Sequence, residues 1–116
     1  MRPARASDLM PAEDRVLEAA RAALAAARRP LVSAGVDAVN EHAGPAIEAF
    51  CTHNEMPLIT TYKGKGLIDE AHPLVLGGAG LSPKADEILM PLIAQSDCIL
   101  LLGYDPIEMR VGWRNP

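Results

Sequence analysis

An α/β fold of the three-layer, Rossmann-like kind is what this sequence predicts, and three observations carry the prediction. Short apolar runs at residues 30–35, 57–61 and 98–103 lack the polar alternation of a half-exposed strand, as strands buried on both faces do. Stretches with helical apolar spacing lie between them. Strands of that kind alternating with helices build a mostly parallel sheet covered on both faces. The chain has 116 residues, enough for one small domain and a single core.

The elements follow in order. Residues 1–11, where Pro3 and Pro11 bracket a polar stretch, are expected to be a disordered lead-in to a domain over 12–116. A helix is expected over about 12–28, since Val16, Ala20, Ala23, Leu24 and Ala27 share one face and Pro11 sits near the first turn, where proline costs least. Pro30 ends it, because proline disfavours helical backbone at the preceding residue. PLVSAG is the first strand, with Ser33 its one polar interruption. A second helix is expected from Asn40 or Glu41 to Asn54, with Ala43, Ile47, Phe50 and Cys51 at helical spacing. PLITT follows as a strand, residues 62–73 as a loop rich in glycine and charge, and 74–77 as a brief strand. Residues 83–95 read as a helix with Ile88, Leu89, Leu92 and Ile93 inward, which Pro91 is expected to kink or divide. CILLLG closes the series as a strand.

Composition removes several functions. Only 3% of residues are aromatic, which argues against a stacking platform for single-stranded nucleic acid. No apolar run approaches the roughly 20 residues of a membrane-spanning helix, and no signal-peptide pattern opens the chain. Residues 1–30 hold six arginines against four acids, while residues 31–116 hold five bases against eleven. The arginines alternate with acids along an alanine-rich stretch, which reads as the solvated face of a helix. Cys51 and Cys98 stand 47 positions apart with no CxxC partner. They fit two reduced thiols in the cytoplasm.

In a parallel sheet, ligands gather beyond the carboxyl ends of the strands. Here those ends carry Gly35-Val36-Asp37, residues 60–66, residues 77–80 and residues 103–108, so four glycine-bearing loops should converge into a crevice. No GxGxxG follows a strand, and Gly64-Lys65 lacks the upstream glycine and following hydroxyl of a P-loop. The GKG at 64–66 could still bring backbone N–H groups or a lysine to an anion; a solvated loop is the simpler reading. His42, His53 and His72 lack metal-like spacing, and His72-Pro73 holds a turn. Asp69-Glu70 and Asp86-Glu87 are adjacent pairs whose side chains diverge, which points to solvent. Ser33 lacks a G-x-S-x-G elbow, and both cysteines sit among apolar neighbours, where a thiol packs inertly. These residues alone assemble no catalytic machinery and no metal site.

The order of the segments says more. RPLVSAGVDA, then MPLITTYKGKGLIDEAHPLVLGGAGL, then QSDCILLLGYDPIE resemble the central domain of thiamine-diphosphate-dependent enzymes, the acetolactate synthase, pyruvate oxidase and benzoylformate decarboxylase group. The resemblance covers about residues 12–108 and is most specific from Pro57 to Gly80. It implies a middle domain of a three-domain subunit, whose flanking pyrimidine- and diphosphate-binding domains hold thiamine diphosphate and magnesium. The parent would decarboxylate a 2-oxoacid and pass the remaining fragment to an acceptor. The sequence contains no Gly-Asp-Gly metal motif, so the fragment alone is expected to be inactive.

In some relatives the middle domain, a six-stranded Rossmann-like sheet, holds FAD. The resemblance places the counterparts of its binding residues at Gly35, Thr60, Thr61, Lys63, Gly64, Gly66, Gly77 and Gly103. Two positions depart from that pattern. Gly35-Val36-Asp37 stands where three glycines are usual, and Asp105 stands where an arginine is usual. A carboxylate aimed at a pyrophosphate repels it, so FAD is disfavoured, and Gly103-Tyr104-Asp105-Pro106-Ile107-Glu108 is similar to the catabolic, flavin-free acetolactate synthases. A stand-alone FAD, NAD or adenine-nucleotide module is the alternative, and a scaffold for subunit contacts is compatible with the first reading. Family members add strands after the segment corresponding to Trp113. The sheet is thus expected to be truncated there, with CILLLG near an unpaired edge and a homo-oligomer as the outcome.

Overall fold

The computed structural model describes residues 12–80 and 82–105. The lead-in expected at 1–11, and the readings of Pro106, Ile107, Glu108 and Trp113, lie outside the described residues. Within them the order is α1 (Asp14–Ala26), β1 (Pro30–Ala34), α2 (Val36–Asn40), α3 (Gly44–Asn54), β2 (Leu58–Thr61), a 3-10 turn at Tyr62–Gly64, β3 (Val75–Ala79), α4 (Pro83–Gln95) and β4 (Cys98–Leu102). The strands form one sheet in the order β3-β2-β1-β4, every pair parallel.

Alternation along the central strands makes three layers. Val32, Ala34 and Leu58 face one side, packed with Ala38 of α2 and with Ile47 and Cys51 of α3. Leu31 and Ile59 face the other, packed with Ala79 and with Leu89, Met90 and Ile93 of α4. Both central strands are buried almost throughout, as their unbroken apolar runs require. Cys51 lies inside the first cluster, where burial pushes its thiol pKa up, away from reactivity.

Four expectations need correction. β4 is not covered on both faces: Ile99 is 42% exposed and Leu101 53%. Among the described residues it is an edge strand, in line with the unpaired edge expected at CILLLG, and α4 packs on the other three strands. The helix expected from residue 40 or 41 to Asn54 starts later, at Gly44, and a separate short helix, α2, precedes it. Gly44 approaches so closely that a Cβ there would lie 2.7 Å from the Leu67 carbonyl oxygen, and Pro45 in the first turn starts a new helix. Pro91 does not divide α4, which is one helix from Pro83 to Gln95; Pro91 and Glu87 are exposed, where water can bond the Glu87 carbonyl that the ring leaves orphaned. Only one face of α4 meets the sheet, so Leu89 is buried while Ile88 and Leu92 point outward, 71% and 39% exposed.

α1 keeps the solvated arginine-acid face, with exposed pairs Arg21–Glu18 at 3.9 Å and Arg15–Glu13 at 3.7 Å. It touches the core mainly through Leu24 at its C-terminal end. β3 carries a bulge. Leu58 pairs with Val75 but Ile59 with Gly77, so Leu76 is the extra residue and its side chain turns outward.

Asp97 ties the beginning of the domain to its last strand. Its Oδ2 accepts the Arg28 N–H at 2.8 Å and its Oδ1 the Arg29 N–H at 2.9 Å. Those two bonds hold the carboxyl below the usual value of 3.8. A depressed folded-state pKa contributes stability that is present above the unfolded value and lost as pH falls through the folded one. Asp97→Ala is therefore expected to lower the urea midpoint at pH 7, and to differ less from the parent chain as pH drops below 3.8. A gap between the two that widened on acidification would contradict this role.

Candidate functional site

Because all four strands are parallel, their carboxyl ends share one edge. Two of those ends are joined directly. The Gly35 N–H donates to the Leu102 carbonyl at 2.9 Å, and the Asp37 N–H donates to the Gly103 carbonyl at 3.1 Å. Gly103 has φ +64°, and a Cβ there would lie 2.3 Å from the Ala38 nitrogen. Gly35 and Gly103 thus seat the first turn of α2 against the end of β4.

The other half of the edge is built on β2 and β3. Thr60 and Thr61, at the end of β2, are 4% and 0% exposed. Thr61 Oγ1 accepts the Gly64 N–H at 3.2 Å, closing the 3-10 turn. A Cβ on Gly64 would meet the Ala34 carbonyl oxygen at 2.9 Å, so this glycine lets the turn cross the end of β1. Lys63 is exposed on that turn. Gly66 has φ +89° with open space around it. Gly77 is placed differently from its companions, paired with Ile59 inside β3 rather than beyond its end. Asp37 and Asp105 are exposed at the β1 and β4 ends.

Four residues join this edge that sequence reasoning did not single out as partners. The stem of Lys65 lies over Gly78, with Cδ 3.5 Å and Cγ 3.6 Å from where a Cβ would be, and its Nζ is 3.8 Å from Glu70 Oε1. Asp86, expected in solvent, is 2% exposed. It sits in the first turn of α4, and its Oδ1 accepts the Gly80 N–H at 2.9 Å. Burial is tolerated because the carboxylate is hydrogen-bonded and lies at a helix N-terminus.

Among the described residues the edge is thus acidic on its β1–β4 side, with its basic groups, Lys63, Lys65 and Lys84, on the β2–β3–α4 side. The arginines among the described residues, Arg15, Arg21, Arg28 and Arg29, all precede β1, near the opposite ends of the strands or beyond. Among the described residues no three His, Cys, Asp or Glu side chains are placed to hold a metal ion. His72 holds its turn as expected: its Nδ1 accepts the Leu74 N–H at 3.2 Å, and its Nε2 lies 3.3 Å from Thr52 Oγ1.

The sequence that builds this sheet matches the family profile of the thiamine pyrophosphate enzyme central domain over residues 17–116. The chain belongs to that family. It is 32% identical to a pyruvate oxidase of Lactiplantibacillus plantarum over 79% of the chain and 15% of that protein. It is 30% identical to an acetolactate synthase of Bacillus subtilis over 93% of the chain and 19% of that protein. A sulfoacetaldehyde acetyltransferase of Rhodobacter capsulatus is 33% identical over 80% of the chain and 16% of its own length. The chain spans less than a fifth of each of these relatives.

As a thiamine pyrophosphate enzyme central domain, the chain shows two kinds of glycine at its strand ends. Gly35, Gly64 and Gly103 bring backbone to backbone within the domain, whereas Gly66 leaves open space. Of the glycines named for this edge, Gly66 beyond its strand and Gly77 within β3 have open space around them.

Proposed function

We propose that the chain serves as the middle, non-catalytic domain of a thiamine-diphosphate-dependent 2-oxoacid decarboxylase or synthase of the acetolactate synthase type. The match over residues 17–116 carries this reading. Thiamine diphosphate supplies the carbanion-stabilising chemistry of such an enzyme. Among the described residues no cluster is placed to hold a metal ion, and the arginines lie away from the crevice edge. Thiamine diphosphate and its magnesium belong to flanking domains, and the present chain orients those domains.

Flavin is disfavoured for the same crevice. Backbone contacts already close the Gly35–Gly103 side, no lysine or arginine stands there among the described residues, and Asp37 and Asp105 add negative charge. Lys65, on the other side, is paired with Glu70. Two unpaired thiols support a reducing, cytoplasmic setting. In the parent the sheet continues past β4, whose outer edge and exposed Ile99 and Leu101 would be covered by further strands and a helix.

The purified chain, given thiamine diphosphate, magnesium and pyruvate, is expected to release no carbon dioxide above background. Mixed with FAD and desalted, it is expected to retain no flavin absorbance. Turnover by the isolated chain would overturn the non-catalytic assignment. Retained flavin would show that the carboxylates at 37 and 105 do not face the pyrophosphate. Saturable binding of NAD or an adenine nucleotide by calorimetry would favour a stand-alone nucleotide module.

A further inference from the structure

We propose that His72 is an acid-operated latch on the crevice loop that joins the 3-10 turn to β3. Its two ring nitrogens hold opposite roles. Nδ1 accepts the Leu74 N–H at 3.2 Å, so it carries no proton. The ring hydrogen of the neutral form therefore sits on Nε2, 3.3 Å from Thr52 Oγ1 of α3. The half-buried ring thus ties the loop both to the chain entering β3 and to α3. The start of β3 rests on that tie. The His72 carbonyl accepts the Val75 N–H at 3.0 Å, and the Leu74 carbonyl accepts the Leu58 N–H of β2 at 2.8 Å.

Ile68, buried in the core, fastens the near end of the loop, and His72 fastens the far end. Between them stand Asp69, Glu70 and Ala71, all exposed. Glu70 is the carboxylate 3.8 Å from Lys65 Nζ, so the loop sets the partner of a lysine whose stem lies over Gly78. A second proton on the ring lands on Nδ1 and turns that atom from acceptor to donor. Two N–H groups then face each other where one hydrogen bond had been, and the ring swings out, releasing Leu74 and Thr52. The charged groups around it are Asp69 and Glu70 on its own loop and Glu48, His53 and Glu55 near Thr52 on α3; β2 and β3 contribute none. Asp69 is engaged by the Ala71 N–H at 2.9 Å and Glu70 by Lys65. Among the described residues no ion pair joins a carboxylate to the ring and would hold its cation in place. Acid thus frees the far end of the loop, and with it the segment that orders Lys65 on the basic side of the crevice.

Nuclear magnetic resonance of the full 116-residue chain tests this from about pH 8 to about pH 5.5, where an imidazole gains its proton while carboxylates stay ionised. At the upper end the nitrogen shifts of His72 are expected to report the Nε2–H tautomer. At the lower end the Leu74 and Val75 amides, corrected for intrinsic exchange, are expected to lose about fivefold to tenfold in protection, the worth of one hydrogen bond. The Val32 amide, bonded to the Pro57 carbonyl, is expected to keep its protection and so to show that the fold is intact. His72→Asn supplies a side-chain oxygen that accepts the N–H two residues on and gains no proton, so it is expected to flatten the pH dependence. His53→Gln is expected to leave that dependence unchanged. An Nδ1–H tautomer would overturn the latch. So would protection at Leu74 that ignores pH, a loss shared equally by Val32, or an acid loss that survives in His72→Asn or vanishes in His53→Gln.

Discussion

Gly103→Ala is expected to be the most damaging single methyl group in this domain. The new Cβ would lie 2.3 Å from the Ala38 nitrogen, 3.0 Å from the Asp37 carbonyl carbon and 3.1 Å from the Ala38 Cα. All three are backbone atoms, so no side-chain rotation relieves the overlap. The same backbone is held in place by the Asp37-to-Gly103 and Gly35-to-Leu102 hydrogen bonds. Moving α2 away breaks the first and pulls on the second. The left-handed conformation at φ +64° adds about 1–2 kcal/mol for any residue with a Cβ. Together these place the loss at about 3–5 kcal/mol, a large share of the stability of a small domain. Gly66→Ala is the control, with φ +89° but open space around it, and should lose only about 1 kcal/mol from backbone strain. Urea denaturation of both variants measures the difference. Equal losses would mean that the approach of α2 to β4 is not what glycine secures at 103.

Asp86→Ala is expected to rank second. Its carboxylate is 2% exposed and accepts the Gly80 N–H, so truncation leaves a buried donor unsatisfied beside a small cavity. Removing one partner of a buried charged hydrogen bond costs about 2–4 kcal/mol. Asp86→Asn retains an acceptor oxygen and the volume, and should lose about half as much. Amide exchange distinguishes this role from general destabilisation. The Gly80 N–H should exchange much faster in Asp86→Ala under native conditions, while amides of β1 slow and quicken only with global stability. Unchanged protection at Gly80 would place the function of this carboxylate elsewhere.

How much of this was legible in the sequence depends on whether the deciding partner was local. β1 and β2 were readable because a run such as LVSA or LITT, buried on both faces, needs no polar alternation. β4 has the same apolar character, and its edge position was expected from the resemblance, but the exposed face of Ile99 and Leu101 depends on which strands α4 covers and could not be read from CILLL itself. α2 is five residues long, too short to show helical periodicity. The cues were Gly35 before it and Asp37 in its first turn. Asp86 was hidden because its partner is a backbone N–H six positions earlier. Ser82-Pro83 ahead of it, a helix start followed by an acid, was the available signal. Leu76 had no signal, since a bulge exists only once β2 and β3 are paired in register. The crevice glycines were found as a group, but their division into those that touch backbone and those, Gly66 and Gly77, that face open space is a matter of tertiary distance.

The Asp97 fork has a kinetic meaning as well. It joins residues 68 and 69 positions apart, at the place where Pro30 of β1 pairs with Cys98 of β4. β1 lies in the middle of the sheet, so one of its two neighbours is synthesised almost at once and the other only after α4. On the ribosome, β1, α2, α3 and β2 can gather while β1 still shows a bare flank. Closing that long loop comes late, because its entropy must be spent before the contacts form. Until residue 102 has left the exit tunnel, the centre of the future sheet is a temporary edge, and a nascent chain stalled before β4 is the species most exposed to aggregation and to chaperones.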